Sequence, residues 1–320
     1  MIEREAASVR IISSSLLTNP NKISGKSSKL RLGELLSPYA AKAEADLARW
    51  AVQPGTPPEL AQAMRYCTLG GGKRLRPALV MMSAEAAGAK SSAQIVRRCA
   101  VAIEMIHCYS LVHDDLPAMD DDDLRRGMPA AHVKFGEAMA ILAGDALLTR
   151  AFAVIGAGCG KACPQLVQEL ADGAGCAGMI AGQVADMALC NLPAGVKGLD
   201  YIHLHKTAAL ISSAVRLGGA CAGAGKRVMD ALGVFGRSLG LAFQLVDDLL
   251  DATGESARIG KTAGKDAAAG KRTHVAMLGI DKTRQLARKL TMQAIRSLDI
   301  LGARGGKLRC LAELLQERTH

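Results

Sequence analysis

From Leu30 onward, apolar residues recur at helical spacing. Leu32, Leu35 and Leu36 open the pattern, and Ala43, Leu47 and Trp50 fall on one face. Between them, Ser37 is placed to cap a fresh helix with Pro38 in its first turn. The run Pro54-Gly55-Thr56-Pro57-Pro58 predicts a loop, with Thr56 capping a helix that lasts to Leu69. A helix opening at Pro77 closes at Gly88, and Gln94–His113 follows with Val96, Ala100, Ile103, Ile106 and Leu111 on its apolar positions. Further helices are expected over Gly136–Ala153, from His203 to Gly218, and over Leu239–Ala252, Thr283–Leu301 and Leu308–Gln316. Pro193–Gly198 and the Gly/Lys/Ala-rich Gly254–Lys271 are expected loops, the latter a flap able to close over a charged substrate. Small residues in Gly156–Gly160 and Gly173–Gly182 allow close helix packing. Residues 1–30 form a basic leader expected to be poorly ordered, and residues 31–320 a single all-helical domain.

Composition strengthens this pattern. Of 320 residues 49% are hydrophobic but only 3% aromatic, so helix formers outweigh strand formers. The formal net charge of +10 is dispersed and lies beside acidic clusters, which favours an anionic small substrate over nucleic acid. The nine cysteines are scattered without a CxxC pair, so zinc and disulfides lack support and a reduced, cytoplasmic setting is expected. No membrane span is expected, because Asp145 and Arg150 interrupt the apolar region 138–155.

The candidate chemistry centres on Tyr109–Lys134. Asp114 and Asp115 end a helix, Pro117 breaks it, and Asp120–Asp123 follow with Arg125 and Arg126. Two unit charges 4 Å apart repel by about 4 kcal/mol at an effective dielectric near 20. Such a cluster is kept if it stays solvated or meets cations, and its oxygens suit Mg²⁺ bridged to phosphate. Alone it would be a solvated loop. A second cluster, Asp247, Asp248 and Asp251 on an apolar helix, reverses that judgement, since buried carboxylates need compensation. Because Pro117 unwinds the segment, Asp120 can turn back beside Asp114. Gly70-Gly71-Gly72-Lys73-Arg74-Leu75-Arg76-Pro77 sets three cations before a helix start, a ready anion site but not a Walker loop. His203 and His205 hint at a metal, but no third ligand sits at zinc spacing, so Lys206 and Thr207 are favoured as the functional pair. Gln183 and Asp186 share a helical face and can support a central cavity.

In this order GGGKRLRP, DDLPAMDDDDLRRG, HKT, FQLVDDLLD and GK closely resemble the short-chain trans-isoprenyl diphosphate synthases, the polyprenyl synthetase family. The four residues between Asp115 and Asp120 look like those of bacterial-type farnesyl diphosphate synthases. The resemblance implies an isoprenoid-synthase helical bundle around a deep central cavity, usually a homodimer. It implies three Mg²⁺ ions, two on Asp114 and Asp120 and one on Asp247, with Asp115, Asp248 and Asp251 in support. Arg125, Lys206 and Lys261 would bind the allylic diphosphate. Lys73, Arg76, His107 and Arg126 would bind isopentenyl diphosphate, and Thr207 and Gln244 would line the reacting end.

Two features bear on the product. Tyr109 lies five residues before Asp114, about 7.5 Å along the helix, where a ring can floor the cavity and favour farnesyl diphosphate. The segment GKTAGKD at 260–266 instead looks like that of geranylgeranyl-forming members, and His274 stands where the family commonly has Tyr. A farnesyl diphosphate synthase is thus expected, with a geranylgeranyl diphosphate synthase as the alternative. A terpene cyclase or a silent partner subunit is disfavoured, because every motif is intact.

Overall fold

The computed structural model describes residues 32–253 and 273–317. The expected leader, the flap Gly254–Lys271 with Lys261, and the last three residues lie outside the described residues. The chain within them is helical: α1 (Leu32–Trp50), α2 (Pro58–Leu69), α3 (Leu75–Ala87), α4 (Gln94–Asp114), α5 (Ala131–Phe135), α6 (Glu137–Gly156), α7 (Cys163–Ala174), α8 (Met179–Asp186), α9 (Val196–Ile202), α10 (Ala209–Cys221), α11 (Lys226–Ala252), α12 (His274–Leu278), α13 (Ile280–Ser297) and α14 (Gly306–Gln316). Among the described residues, β structure is limited to one two-residue antiparallel pair, β1 (Leu124–Arg125) with β2 (Met128–Pro129). The all-α expectation therefore holds.

α10 is the central element, packed against α3, α7 and α11. Its residues Leu210, Ile211, Ala214, Val215 and Leu217 are all buried. Burial of apolar area of this kind, at roughly 25 cal/mol per Å², holds the bundle together. α4 packs along α6, and α11 along α13. Gly240 of α11 lets its backbone touch that of the segment leading into α10, since a Cβ there would meet the Cα of Ala208. α6 is long and apolar enough to cross a membrane by length and composition alone. One face of it, including Ala140, Ala143, Leu147, Ala151 and Ile155, is nevertheless buried in the bundle.

Several local expectations fail. Ser37 does not cap a new helix: α1 runs unbroken through Pro38 because Leu35, Leu36, Tyr39, Ala43, Leu47 and Trp50 form one buried stripe. Thr56 does not cap α2; its hydroxyl donates to the Gln53 carbonyl at 2.9 Å, and Pro57 holds the cap position. α3 begins at Leu75 rather than Pro77, after Arg74 in a left-handed conformation with φ +48°. The 193–198 loop is shorter than expected, since α9 starts at Val196.

Arg74 is one of the three cations in the glycine-rich stretch, yet it points into the core. It donates to Glu44 (2.6 Å), Glu104 (2.8 Å) and the Thr68 carbonyl (2.5 Å). Removing one partner from such a buried set costs about 3–5 kcal/mol, so Arg74 braces the loop rather than offering an anion site. At the far end Tyr39 donates to Glu85 (2.7 Å), and Lys307 donates to both Glu85 (2.8 Å) and the Tyr39 oxygen (2.7 Å). This cluster ties α1 and α3 to α14.

Candidate active site

α4 delivers Asp114 as its last residue, and Pro117 prevents the helix from going on. The chain folds back instead. The Asp120 amide donates to the Asp114 carbonyl at 2.8 Å, and the Asp122 amide to that of Asp115 at 3.2 Å. β1 and β2 then form a short hairpin that aims Arg125 and Arg126 backwards. Arg125 holds Asp115 through Nε (2.9 Å) and Nη2. Arg126, itself left-handed at φ +55°, donates to the Gly71 carbonyl. Gly72 must be glycine there: its φ is +124°, and a Cβ would press on the Arg126 guanidinium. The glycine-rich loop and the arginine pair are thereby brought together.

The folded-back acidic segment and the arginine pair open onto a cleft of about 1760 Å³. Asp114, Asp120, Arg125 and Arg126 meet Arg76, His107 and Tyr109 on one side. Gln183, Asp186, Lys206, Thr207, Gln244, Asp248 and Asp251 complete the wall. Two acidic segments distant in sequence therefore share one hollow. Three expected residues do not line it. Lys73 is exposed beside it, Asp115 is buried under Arg125, and Asp247 lies a helix step away from the face of Gln244, Asp248 and Asp251.

The segment His203–Ala208 is a π-helical turn, which periodicity did not predict. It presents Lys206 and Thr207 side by side. Lys206 pairs with Asp186 at 2.6 Å, and the Thr207 hydroxyl donates to Gln244 Oε1 at 3.2 Å. Gly182 makes this possible, because a Cβ there would collide with the backbone of Lys206 and His205.

Electrostatics mark the cleft as a place prepared for charge. Burial, with Asp120 and Asp115 adding to it against Lys206 and Arg125, raises the Asp114 pKa to about 6. Burial, then Arg76 and Arg126, holds His107 well below its ordinary value. Arg76 Nε, Gln183 Nε2 and the Tyr109 hydroxyl are buried without a hydrogen-bond partner, and all three residues line the cleft. Crowded hard oxygen donors beside partly desolvated cations fit magnesium with a bound diphosphate.

A second cluster adjoins this wall. His203, Asp248 and His274 each offer a donor atom within 4.8 Å of the others, and together can hold one metal ion. His274 Nε2 is 2.9 Å from Asp200 Oδ1, and its backbone amide donates to Asp248 Oδ2 at 3.0 Å. Burial alone would lower the His274 pKa, but Asp200 and Asp248 raise it to about 9. Burial lowers His203 to about 4. The sequence offers His203 with His205 and no third ligand; His205 is not in the cluster, and the fold supplies two other ligands from positions 45 and 71 residues beyond His203.

A sequence model of the polyprenyl synthetase family matches residues 57–299. The farnesyl diphosphate synthase of Escherichia coli is 44% identical over 270 residues, covering 81% of this chain and 89% of that one. A chloroplastic geranylgeranyl pyrophosphate synthase of Catharanthus roseus is 46% identical over 247 residues, 76% and 69% of the two chains. The apo crystal structure of an FPP/GFPP synthase from Zymomonas mobilis superposes with a TM-score of 0.77 at 35% identity, covering 89% of this chain and 98% of that one.

Proposed function

We propose substrates and a product for this chain, which belongs to the polyprenyl synthetase family and is an enzyme of the trans-prenyltransferase type. It joins isopentenyl diphosphate head to tail with an allylic diphosphate, beginning with dimethylallyl diphosphate. The observation that carries this reading is the shared cleft, in which two acidic segments, a basic wall and an apolar helix meet. Asp114 and Asp120 of the first motif and Asp251 of the second, all of which line the cleft, are the residues that would hold Mg²⁺. When bound, the metal supplies Lewis-acid neutralisation of the leaving diphosphate.

The chain's own residues do the rest. Arg125 and Lys206 bind the allylic diphosphate and stabilise the charge that grows as its C–O bond breaks. Arg76, His107 and Arg126 hold isopentenyl diphosphate with its double bond toward the allylic carbon. The oxygens of Thr207 and Gln244 are dipoles available to the allylic cation. The departing pyrophosphate takes the proton, so no protein base is required. The family's usual homodimer is the assembly we expect.

The product we propose is geranylgeranyl diphosphate. It is supported by the slightly higher identity to the Catharanthus roseus relative and by the resemblance of the 260–266 segment to geranylgeranyl-forming members. Farnesyl diphosphate is the second reading, favoured by the buried Tyr109 ring in the cleft wall. Magnesium-dependent pyrophosphate release from isopentenyl and dimethylallyl diphosphates tests the reaction, and chromatography of the prenyl product tests its length. A twenty-carbon product supports the first reading and a fifteen-carbon product the second. Asp114→Ala and Asp251→Ala should each lower turnover by orders of magnitude; near-normal rates in either would reject the acidic clamp.

A further inference from the structure

We propose that His203, Asp248 and His274 form a site for a single zinc-class divalent cation, separate from the magnesium-binding carboxylates. The three residues come from the π-helical turn, from α11 and from the first position of α12. Their donor atoms lie within 4.8 Å of one another. Zinc with bonds of about 2.0–2.2 Å needs ligand atoms about 3.3–3.6 Å apart, so small side-chain shifts close the site.

Two observations point to a ligand. His203 Nδ1 and His274 Nδ1 are both buried without a hydrogen-bond partner, and the rings are only 4.9 Å apart between centroids. His203 is 7% and His274 1% exposed, so water does not serve these nitrogens freely. The His274 Nδ1 lies 3.7 Å from Asp248 Oδ2, which leaves it facing the centre of the cluster.

The surroundings are those of a metal-bound histidine. The other ring nitrogen, Nε2, is hydrogen-bonded to Asp200, and a carboxylate on the distal nitrogen fixes the tautomer and strengthens the ligand. Asp248 is itself oriented by the His274 amide (3.0 Å) and by Gln244 Nε2 (3.4 Å). The donor set is two imidazoles and one carboxylate. That set suits zinc, cobalt or nickel, whereas magnesium prefers oxygen alone. His203, Asp248 and Thr273 line the cleft, so the remaining coordination position opens toward it.

Bound there, the ion clamps α12 to α11 and to the π-helical turn and fixes the Asp248–Gln244 pair against the cleft. This role does not depend on the reaction proposed above. The test uses the full chain stripped of metal, titrated with Co²⁺ in a large excess of Mg²⁺ and followed by visible absorption, with Zn²⁺ competition by calorimetry. One Co²⁺ per chain with ligand-field bands, displaced by Zn²⁺ and not by Mg²⁺, is expected. His274→Tyr and His203→Gln should each weaken binding by about 100-fold, and Asp200→Asn by about 10-fold. Asp114→Asn should leave the stoichiometry at one. Absence of the bands, wild-type affinity in either histidine variant, loss of binding in Asp114→Asn, or a strong thiolate charge-transfer band placing the ion on cysteine would each overturn the site. An inactive enzyme that still binds one Co²⁺ in this way would leave the site standing and defeat the proposed reaction alone.

Discussion

The backbone amide of Asp120 donates to the carbonyl oxygen of Asp114 across 2.8 Å, although the two are six positions apart. In an unbroken helix a separation of six puts side chains on different faces. The bond exists because Pro117 removes a donor and forces the chain to wrap, so both carboxylates reach one hollow. Pro117→Ala lets α4 extend. Turnover is expected to fall about 10–100-fold, the scale of a misplaced catalytic group, with helical circular dichroism equal or higher. Undiminished turnover would show that the wrap does not depend on proline.

Tyr109 is buried in the cleft wall with its hydroxyl unbonded and its ring 5.7 Å from that of His113. Nothing polar is lost by removing it, so truncation opens space below the first acidic pair. Tyr109→Ala is expected to lengthen the product by at least one five-carbon unit, read by chromatography of the dephosphorylated prenyl alcohols. An unchanged distribution rejects Tyr109 as the floor, whichever product the wild type makes.

Gly182 touches no substrate, yet it sets where Lys206 stands. Gly182→Ala forces α8 away from the π-helical turn. Overpacking of this kind costs about 1–3 kcal/mol, so the melting temperature should drop by several degrees. Turnover should fall by about tenfold or more, with the Michaelis constant for isopentenyl diphosphate little changed, because the added Cβ would collide with Lys206 and His205. Equal losses on both substrates would place the fault in general unfolding.

Burial pushes the Glu85 carboxyl up, but Lys307, Ser91 and Tyr39 outweigh it and hold its pKa below the usual range. The Lys307 amine is raised by Glu85 and Tyr39. The lowered acid stabilises above its unfolded pKa and loses that benefit as pH falls through its folded value. The raised amine stabilises below its unfolded pKa and loses that benefit as pH climbs through its folded value. The full contribution therefore spans about pH 4.5 to 10.5. Lys307 is largely exposed, so solvent screening limits the pair to about 1 kcal/mol. Glu85→Gln should lower the melting temperature by one to three degrees near neutrality and by less at either extreme. A deficit that does not vary with pH would assign the effect to packing.

The helices were legible because apolar spacing is a local property. So were the two acidic motifs, whose residue types announce their chemistry wherever they lie. What escaped was decided by distant partners. Arg74 is indistinguishable from Lys73 and Arg76 in sequence, and only Glu44 and Glu104 draw it inward. The ligand partners of His203 were hidden because Asp248 and His274 are near it in space alone. Ser37 carries a good capping signal that the stripe around Pro38 overrides.

The six-residue turn at His203–Ala208 carries one residue more than regular winding needs. Shortening the segment by one position would let α9 and α10 keep their facing while swinging Lys206 and Thr207 about 100° around the axis. The scaffold would tolerate that excision, and the chemistry would not. An extra amino acid of this sort is a hinge point in descent: copies of the gene could shed it and survive as folded, inert proteins.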